Sequence, residues 1–296
     1  MKQPLFHPQD HSKTELVVLR ILFALVLFDV IPSSLPAQQL SEPVGLAGMG
    51  LDFSWLPGAM PVLKWLSFPL LVLYAFGRWQ VLTTTLLCGL TVLIGTYVNS
   101  NGAIKHHHQI VSLILLAQAA WQWWWLIRHG RGGRGGSLED AGDPLDRDRW
   151  EFFVSQQAVV AAYVVTGLTK VLTSGFFGWI KAAANYPVQL RKTNLQAAYS
   201  RADVSTAAGS GLETWLLNHP AAGQAMLGTG LLLELGAILA LLGRPWSFGY
   251  GVLLIAFHAV NSVFMNLNFR WHNWCLFIFL ILPPVIAAGR RALGRK

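Results

Sequence analysis

Charged side chains are scarce in this chain. Asp, Glu, Lys and Arg make up only 12% of the 296 residues, whereas hydrophobic residues make up 53% and the mean hydropathy is +0.45. Soluble domains carry about 25% charged residues. This composition excludes an ordinary soluble protein and predicts one that is integral to a lipid bilayer.

Acidic residues are the scarcer of the two charged classes. The chain has 14 Asp and Glu against 22 Lys and Arg, which gives a net charge of +8. Such an excess can indicate a nucleic-acid-binding protein, but here the basic residues lie beside hydrophobic runs. Membrane proteins concentrate Lys and Arg in their cytoplasmic loops. We therefore predict a lipid bilayer, and no nucleic acid, as the partner.

Cysteine is nearly absent as well. The two cysteines, Cys88 and Cys275, both lie in apolar runs, which excludes a disulfide framework and a cysteine-based metal site. The sequence also lacks a nucleophile elbow, a zinc motif, a haem ligand pair and a dinucleotide-binding fingerprint. We predict no metal site.

Long hydrophobic runs, by contrast, are abundant. A transmembrane helix needs about 20 mostly apolar residues. The predicted spans are residues 16–33, 61–77, 80–98, 108–127, 152–174, 224–242, 246–268 and 273–289. We therefore predict an all-α fold, a polytopic membrane helix bundle of about eight transmembrane helices. Arg20 and Asp29 interrupt the first run, which favours a retained helix over a cleaved signal peptide.

The distribution of basic residues predicts the orientation of the chain. If the N-terminus is inside, most Lys and Arg residues between the spans fall in inner segments, as the positive-inside rule requires. Both termini are then cytoplasmic, in a multi-pass protein of the bacterial inner (plasma) membrane. We predict a single membrane domain, 1–296, made of the first four helices in 15–128, a cytoplasmic Gly/Arg linker at 129–149 and the last four helices in 150–296 with an outer loop at 178–223.

The fifth predicted span contains a lysine in an otherwise apolar run, Ala158 to Phe177. A charge at the centre of a membrane helix costs about 2.5–3.5 kcal/mol, so Lys170 is expected to face the bundle interior. Tyr163, Thr166 and Lys170 recur at helical spacing and are predicted to share that face. A neutral Lys170 would be a weak base. Alternatively it reaches the outer interface, or it pairs with Glu234 and stays charged.

Polar residues also mark the seventh predicted span and the start of the fourth. His258, Asn261 and Met265 form a stripe at helical spacing, with Ser262 beside it. His258 either makes an interhelical hydrogen bond or helps to orient a substrate oxygen. At the fourth span, residues 106–108 are three consecutive histidines that point in different directions, so we expect one of them, rather than a metal site, to face a cavity.

Four stretches carry a resemblance to a known family. They are VVTGLTKVLTSGFFGW (164–179), LLLELGAILALLGRPWSFGYGVLLIAFHAVNSVFMNLNF (231–269), LRILFALVLFDVIP (19–32) and HHHQIVSLILLAQAAW (106–121). Taken in chain order, these stretches resemble the membrane core of the vitamin K-dependent γ-glutamyl carboxylase family, whose bacterial relatives are grouped as HTTM proteins. The lysine helix and the segment FHAVNSVF (257–264) are the more specific matches.

The resemblance implies roles for individual residues. Lys170 corresponds to the catalytic base that deprotonates a reduced quinone, a reduced vitamin K or menaquinone-type quinol, and His108 to a histidine that assists it. His258 and Asn261 correspond to residues near the quinone pocket. Tyr163, Thr166, Ser262 and Met265 are expected to bind substrate or quinone there. In that family O₂ converts the deprotonated quinol into a stronger base, which removes a glutamate γ-proton before CO₂ adds.

The sequence departs from the family in one large respect. The carboxylase carries an extracytoplasmic region after its membrane core, and we expect no counterpart of that region here. Carboxylation therefore calls for a secreted peptide or a separate extracytoplasmic subunit as partner. The alternative is a non-enzymatic membrane partner in maturation or export of a secreted peptide, in which the outer loop 178–223 carries the function. A transporter is disfavoured, because the sequence shows no matching pair of Gly/Pro-broken helices.

Overall fold

A computed structural model describes residues 7–36, 44–101, 106–129, 143–201 and 211–294, and these residues form helices and no β-strand. The α-helices are α1 (Lys13–Val30), α2 (Gly45–Gly48), α3 (Leu56–Ala75), α4 (Gln80–Ser100), α5 (His106–His129), α6 (Pro144–Ser174), α7 (Phe176–Lys181), α8 (Tyr186–Arg201), α9 (Leu212–Asn218), α10 (Pro220–Gly236), α11 (Arg244–Met265), α12 (Arg270–Leu276) and α13 (Leu282–Ala292). Two 3₁₀ segments, Ala182–Asn185 and Ala237–Leu242, and a π-helical segment, Phe277–Ile281, connect some of them.

Seven helices in the described part of the chain are long and apolar enough to cross a membrane. They are α3, α4, α5, α6, α10 with its 3₁₀ extension, α11, and the span from α12 through α13. The predicted all-α polytopic bundle is therefore confirmed. The first predicted span is also helical, as α1, but it is not one of these seven, and its 18 residues include four charged side chains, Lys13, Glu15, Arg20 and Asp29.

The sixth helix begins earlier than the sequence suggested. The Asp143 carboxylate accepts a hydrogen bond from the Leu145 amide at 2.9 Å, and Pro144 occupies the first helical position. An acidic N-cap followed by proline is a strong helix start. The predicted linker at 129–149 is therefore wrong from residue 144 onwards, and 130–142 lie outside the described residues.

The chain divides into two compact units. Unit 1 comprises Met1–Val159 and Phe277–Lys296, and unit 2 comprises Val160–Leu276. One boundary falls inside α6 and the other inside the last span. In unit 1, α4 packs along α5 and α1 packs along α3. A buried apolar cluster there contains Leu56, Met60 and Tyr97.

Unit 2 contains the second half of α6 and the helices α7 to α12. The predicted outer loop 178–223 is largely helical. It contains the end of α7, a 3₁₀ turn, α8 and α9, and it ends at the start of α10. Within the unit, α7 packs on α10, and α8 packs on α9 and α11. The short helix α9 ends just before Pro220, the first residue of α10.

Candidate functional site

An ion pair between two membrane-spanning helices is the most distinctive feature of unit 2. The Lys170 ammonium on α6 donates to both carboxylate oxygens of Glu234 on α10, at 2.5 Å and 2.6 Å. The Lys170 side chain is 23% exposed and that of Glu234 is 7% exposed. Of the alternatives for Lys170, the structure shows the pairing with Glu234.

A glycine allows this pair to form. Gly167 lies three residues before Lys170 on α6, and a Cβ atom built there would lie 3.0 Å from Leu235 Cδ2 and 3.2 Å from Glu234 Cβ. The absence of a side chain at Gly167 lets α6 and α10 approach closely. Glu234 is thereby brought within reach of Lys170, one turn further along α6.

Lys170 has a second neighbour on α7. Its Nζ atom lies 5.0 Å from the centroid of the Trp179 ring. The face of an indole carries partial negative charge and attracts a cation at this distance. The lysine is thus held from two directions by groups that interact favourably with an ammonium.

A hydrogen bond joins α6 to α11 in the same unit. The Tyr163 hydroxyl and His258 Nε2 are 2.6 Å apart, and both side chains are buried. Either the hydroxyl donates to a neutral Nε2 or a protonated Nε2 donates to the hydroxyl oxygen, depending on the tautomer. Of the two alternatives for His258, the structure shows the interhelical hydrogen bond. Its Nδ1 atom has no hydrogen-bond partner among the described residues.

An aromatic side chain holds the His258 ring in place. Phe269 stacks on it, with ring centroids 4.2 Å apart and an interplanar angle of 26°. Further along α11, Asn261, Ser262 and Met265 are half-buried. These three residues follow His258 towards the C-terminal end of the helix.

One predicted member of the α6 stripe does not join it. Thr166 is exposed, and its hydroxyl donates to the carbonyl oxygen of Ala162 at 2.7 Å. Threonine commonly satisfies its hydroxyl on the carbonyl four residues back in its own helix. The prediction that Thr166 faces the interior is therefore wrong, whereas Tyr163 and Lys170 do contact neighbouring helices.

His108 belongs to the other compact unit. The His108 side chain is buried. A Cβ atom built on Gly95 of α4 would lie 3.6 Å from the Cβ of His108. The helix α4 therefore packs closely against α5 at this histidine. The predicted cooperation of His108 with Lys170 stays a prediction. The side chains of His106 and His107 lie outside the described residues.

A larger polar cluster lies in unit 1. It consists of Arg20, Asp148 and Glu151, and we call it the Arg20 cluster. Arg20 on α1 donates to Asp148 Oδ2 at 3.1 Å and also to Glu151 Oε2, both on α6. Nearby on neighbouring helices, Tyr74 donates to Gln118 Oε1 at 3.1 Å. Arg20 therefore joins α1 to the start of α6.

Sequence reasoning missed a second intramembrane lysine, Lys64 on α3. Its Nζ donates to the carbonyl oxygens of Phe28 and Ile31, the latter at 2.5 Å, and lies 3.9 Å from the Phe28 ring centroid. These carbonyls end α1, where a cation compensates the partial negative charge of the helix terminus. The signal was a basic residue near the start of the predicted span 61–77.

Sequence reasoning also missed a polar link between α8 and α11. Asn194 on α8 donates to Glu213 Oε1 on α9 at 3.2 Å and accepts from Asn266 Nδ2 at 2.8 Å. Asn266 ends α11 with a φ of 52°, a conformation that asparagine tolerates better than most residues. The link attaches α8 and α9 to the end of the helix that carries His258.

In the described part of the chain, no group of three or more His, Cys, Asp or Glu side chains could hold a metal ion. Comparisons of the chain with protein-family models, with curated proteins and with solved structures found no match. The function of the site has to be argued from its own chemistry.

Proposed function

We propose that this chain is an HTTM-type membrane enzyme that performs carboxylase-like base chemistry on a reduced quinone. The observation that carries the proposal is the Lys170–Glu234 pair, an amine and a carboxylate held together between two membrane spans. Ionisable groups at such depth are costly and usually functional. The Lys170 side chain remains 23% exposed, so a lipid-soluble molecule can approach the pair from the bilayer.

The donor set of unit 2 suits a quinol of the vitamin K or menaquinone type. Such a molecule has an apolar body that dissolves in the bilayer and hydroxyl groups that are weak acids. Lys170 and Glu234 offer a cation and a proton acceptor, and the buried Nδ1 of His258 has no partner among the described residues. A bound quinol would supply the electrons for O₂ and, through that reaction, the strong base that precedes CO₂ addition.

The remaining residues of the site would position these groups. Tyr163 and Phe269 fix the orientation of the His258 ring by a hydrogen bond and by stacking. Asn261, one turn beyond His258, supplies an amide that can bind a hydroxyl or carbonyl oxygen. We place the acceptor, a secreted peptide or a separate extracytoplasmic subunit, on the outer side of the membrane.

Quinol consumption by the purified, lipid-reconstituted protein in the presence of O₂ tests this proposal. We expect the wild type to oxidise the quinol and Lys170→Ala to be slower by about 100-fold or more, the usual cost of removing a group that stabilises developing negative charge. Lys181→Ala, an exposed lysine on α7, is the matched control and should keep full activity. Full activity of a folded Lys170→Ala variant, or no turnover by the wild type, contradicts the proposal.

A second candidate function is a non-enzymatic partner in maturation or export of a secreted peptide. The observation that favours it is the link from Asn194 to Glu213 and Asn266, which attaches α8 and α9 to α11. This arrangement presents Arg191 and Lys192, both exposed on α8. If the chain is such a non-enzymatic partner, the double variant Arg191→Glu and Lys192→Glu should abolish peptide maturation. Lys170→Ala should leave peptide maturation intact. The opposite pattern would support the enzyme.

A further inference from the structure

We propose that Glu234 is the proton acceptor of this site and that Lys170 remains a cation throughout the reaction. The inference rests on the proposed function, because it assigns roles within the same pair. The ligand class is a lipid-soluble weak acid with a phenol-type hydroxyl, to which quinols belong. Lys170 would stabilise the negative charge that appears on the ligand oxygen.

The surroundings of Lys170 favour an ammonium over a neutral amine. Two of its N–H groups are directed to the Glu234 oxygens at 2.5 Å and 2.6 Å. The face of Trp179 lies 5.0 Å from the same nitrogen. An aromatic face attracts a cation and repels a lone pair, because its quadrupole is negative. A neutral lysine base would therefore lack the interactions that hold this side chain.

Glu234 retains acceptor capacity in the same geometry. An ionised carboxylate has about four lone-pair positions. Among the described residues Lys170 is the donor that Glu234 meets, and it uses one position on each oxygen. The remaining positions can accept a further proton. Glu234 also lies on α10, whose close packing against Gly167 fixes where its carboxylate stands.

The charges balance through the proposed step. Before it, the site holds an ammonium, a carboxylate and a neutral acid. The O–H bond of the ligand breaks, its proton passes to a Glu234 oxygen, and the electron pair stays on the ligand oxygen beside Lys170. The site then holds an ammonium, a carboxylic acid and an oxygen anion, so its net charge is unchanged. A neutral lysine acting as base would instead add two new charges, an ammonium and an oxygen anion, which is costly in a low-dielectric region.

Two conservative variants separate the two mechanisms. Arginine is never neutral in a protein, so Lys170→Arg keeps the cation and removes any possibility of a lysine base. If Glu234 accepts the proton, Lys170→Arg should retain activity within about tenfold, whereas Glu234→Gln should lose about 100-fold or more. If Lys170 is the base, Lys170→Arg is inactive and Glu234→Gln stays active, which overturns the inference.

A binding measurement gives a second readout that does not depend on turnover. A lipophilic nitrophenol absorbs at longer wavelength when it is ionised, so its spectrum reports whether it has lost its proton. At a pH below the pKa of the free phenol, we expect the ionised band with the wild type and Lys170→Arg, and no ionised band with Glu234→Gln. An ionised band with Glu234→Gln but not with Lys170→Arg overturns the inference.

Controls keep the outcome interpretable. Each variant is checked by thermal unfolding, and Glu234→Asp provides a carboxylate if Glu234→Gln fails to fold. An ionised band with the aspartate variant supports the inference, and its absence in a folded sample contradicts it. Lys181→Arg, exposed on α7, is the control for the arginine substitution. Phenol ionisation without any quinol turnover by the wild type would refute the proposed function while leaving the proton assignment intact.

Discussion

Each of the two compact units contains an ion pair between helices, but the surroundings of the two cations differ. In unit 1, the Arg20 side chain is 8% exposed and is shared by Asp148 and by Glu151, which is 2% exposed. In unit 2, Lys170 meets one carboxylate and is 23% exposed. The first cation is enclosed and has two anionic partners, whereas the second has one partner and an accessible side. Burial and the number of partners, rather than the presence of charge in a membrane span, separate a structural cluster from a candidate reactive pair.

Removing the enclosed cation should have the largest effect on stability. Arg20→Ala leaves Glu151 and Asp148 without their common partner, and breaking a buried pair in this way costs about 3–5 kcal/mol. The free energy of unfolding in mixed micelles measures the loss. Asp146→Asn is the control, because its pair with Arg149 is exposed and worth at most about 1 kcal/mol. Equal losses in the two variants would remove the distinction between the Arg20 cluster and a surface pair.

Separating α6 from α10 should affect unit 2 next most strongly. Gly167→Leu places a side chain where even a Cβ lies 3.0 Å from Leu235, and overpacking of this kind costs about 1–3 kcal/mol. We expect quinol turnover to fall by more than the loss in free energy of unfolding can explain, because Glu234 is displaced from Lys170. Gly249→Ala on α11 is the control, since nothing lies within 4 Å of the added Cβ. Unchanged turnover in Gly167→Leu would show that the pair does not depend on this approach.

Loss of the hydrogen bond between α6 and α11 should have the smallest effect. Tyr163→Phe removes the hydroxyl that meets His258 Nε2, and a hydrogen bond of this kind contributes about 0.5–1.5 kcal/mol. The free energy of unfolding should fall by that amount, with Tyr199→Phe, an exposed tyrosine, as the control. A loss as large as that of Arg20→Ala would place Tyr163 and His258 among the structural groups instead.

Hydrophobic run length was enough to predict the long apolar helices of the fold, but not α8 and α9 in the predicted outer loop. Each predicted span is helical, because about 20 apolar residues in lipid have few other ways to satisfy their backbone polar groups. The start of α6 was missed because Asp146, Arg147, Asp148 and Arg149 follow the glycine-rich stretch and resemble a linker. The Asp143 cap and Pro144 were the local signals that could have corrected this.

Contacts between residues on different helices could be predicted from the sequence only in part. Glu234 could be suggested as a partner of Lys170, since two opposite charges in membrane spans favour contact. The partners of Arg20 lie 128 and 131 residues away, in a segment that looked exposed, and no periodicity relates them. Helical spacing predicts which residues share a face, but it does not show whether another helix covers that face. Thr166 was therefore wrongly placed in the interior, and its hydroxyl is satisfied within its own helix. The proposed roles of His258, Asn261 and the quinol stay predictions.

The π-helical segment Phe277–Ile281 sets the rotational phase of the last helix. A π turn accommodates one residue more than an α turn, and here the Gln156 amide donates to the Phe279 carbonyl at 2.7 Å. Deleting one residue would restore regular α-helix and rotate α13 by about 100°. Arg290, which donates to Glu15 on α1 at 2.7 Å, would then point elsewhere. A single extra residue therefore determines which side of the last helix faces α1.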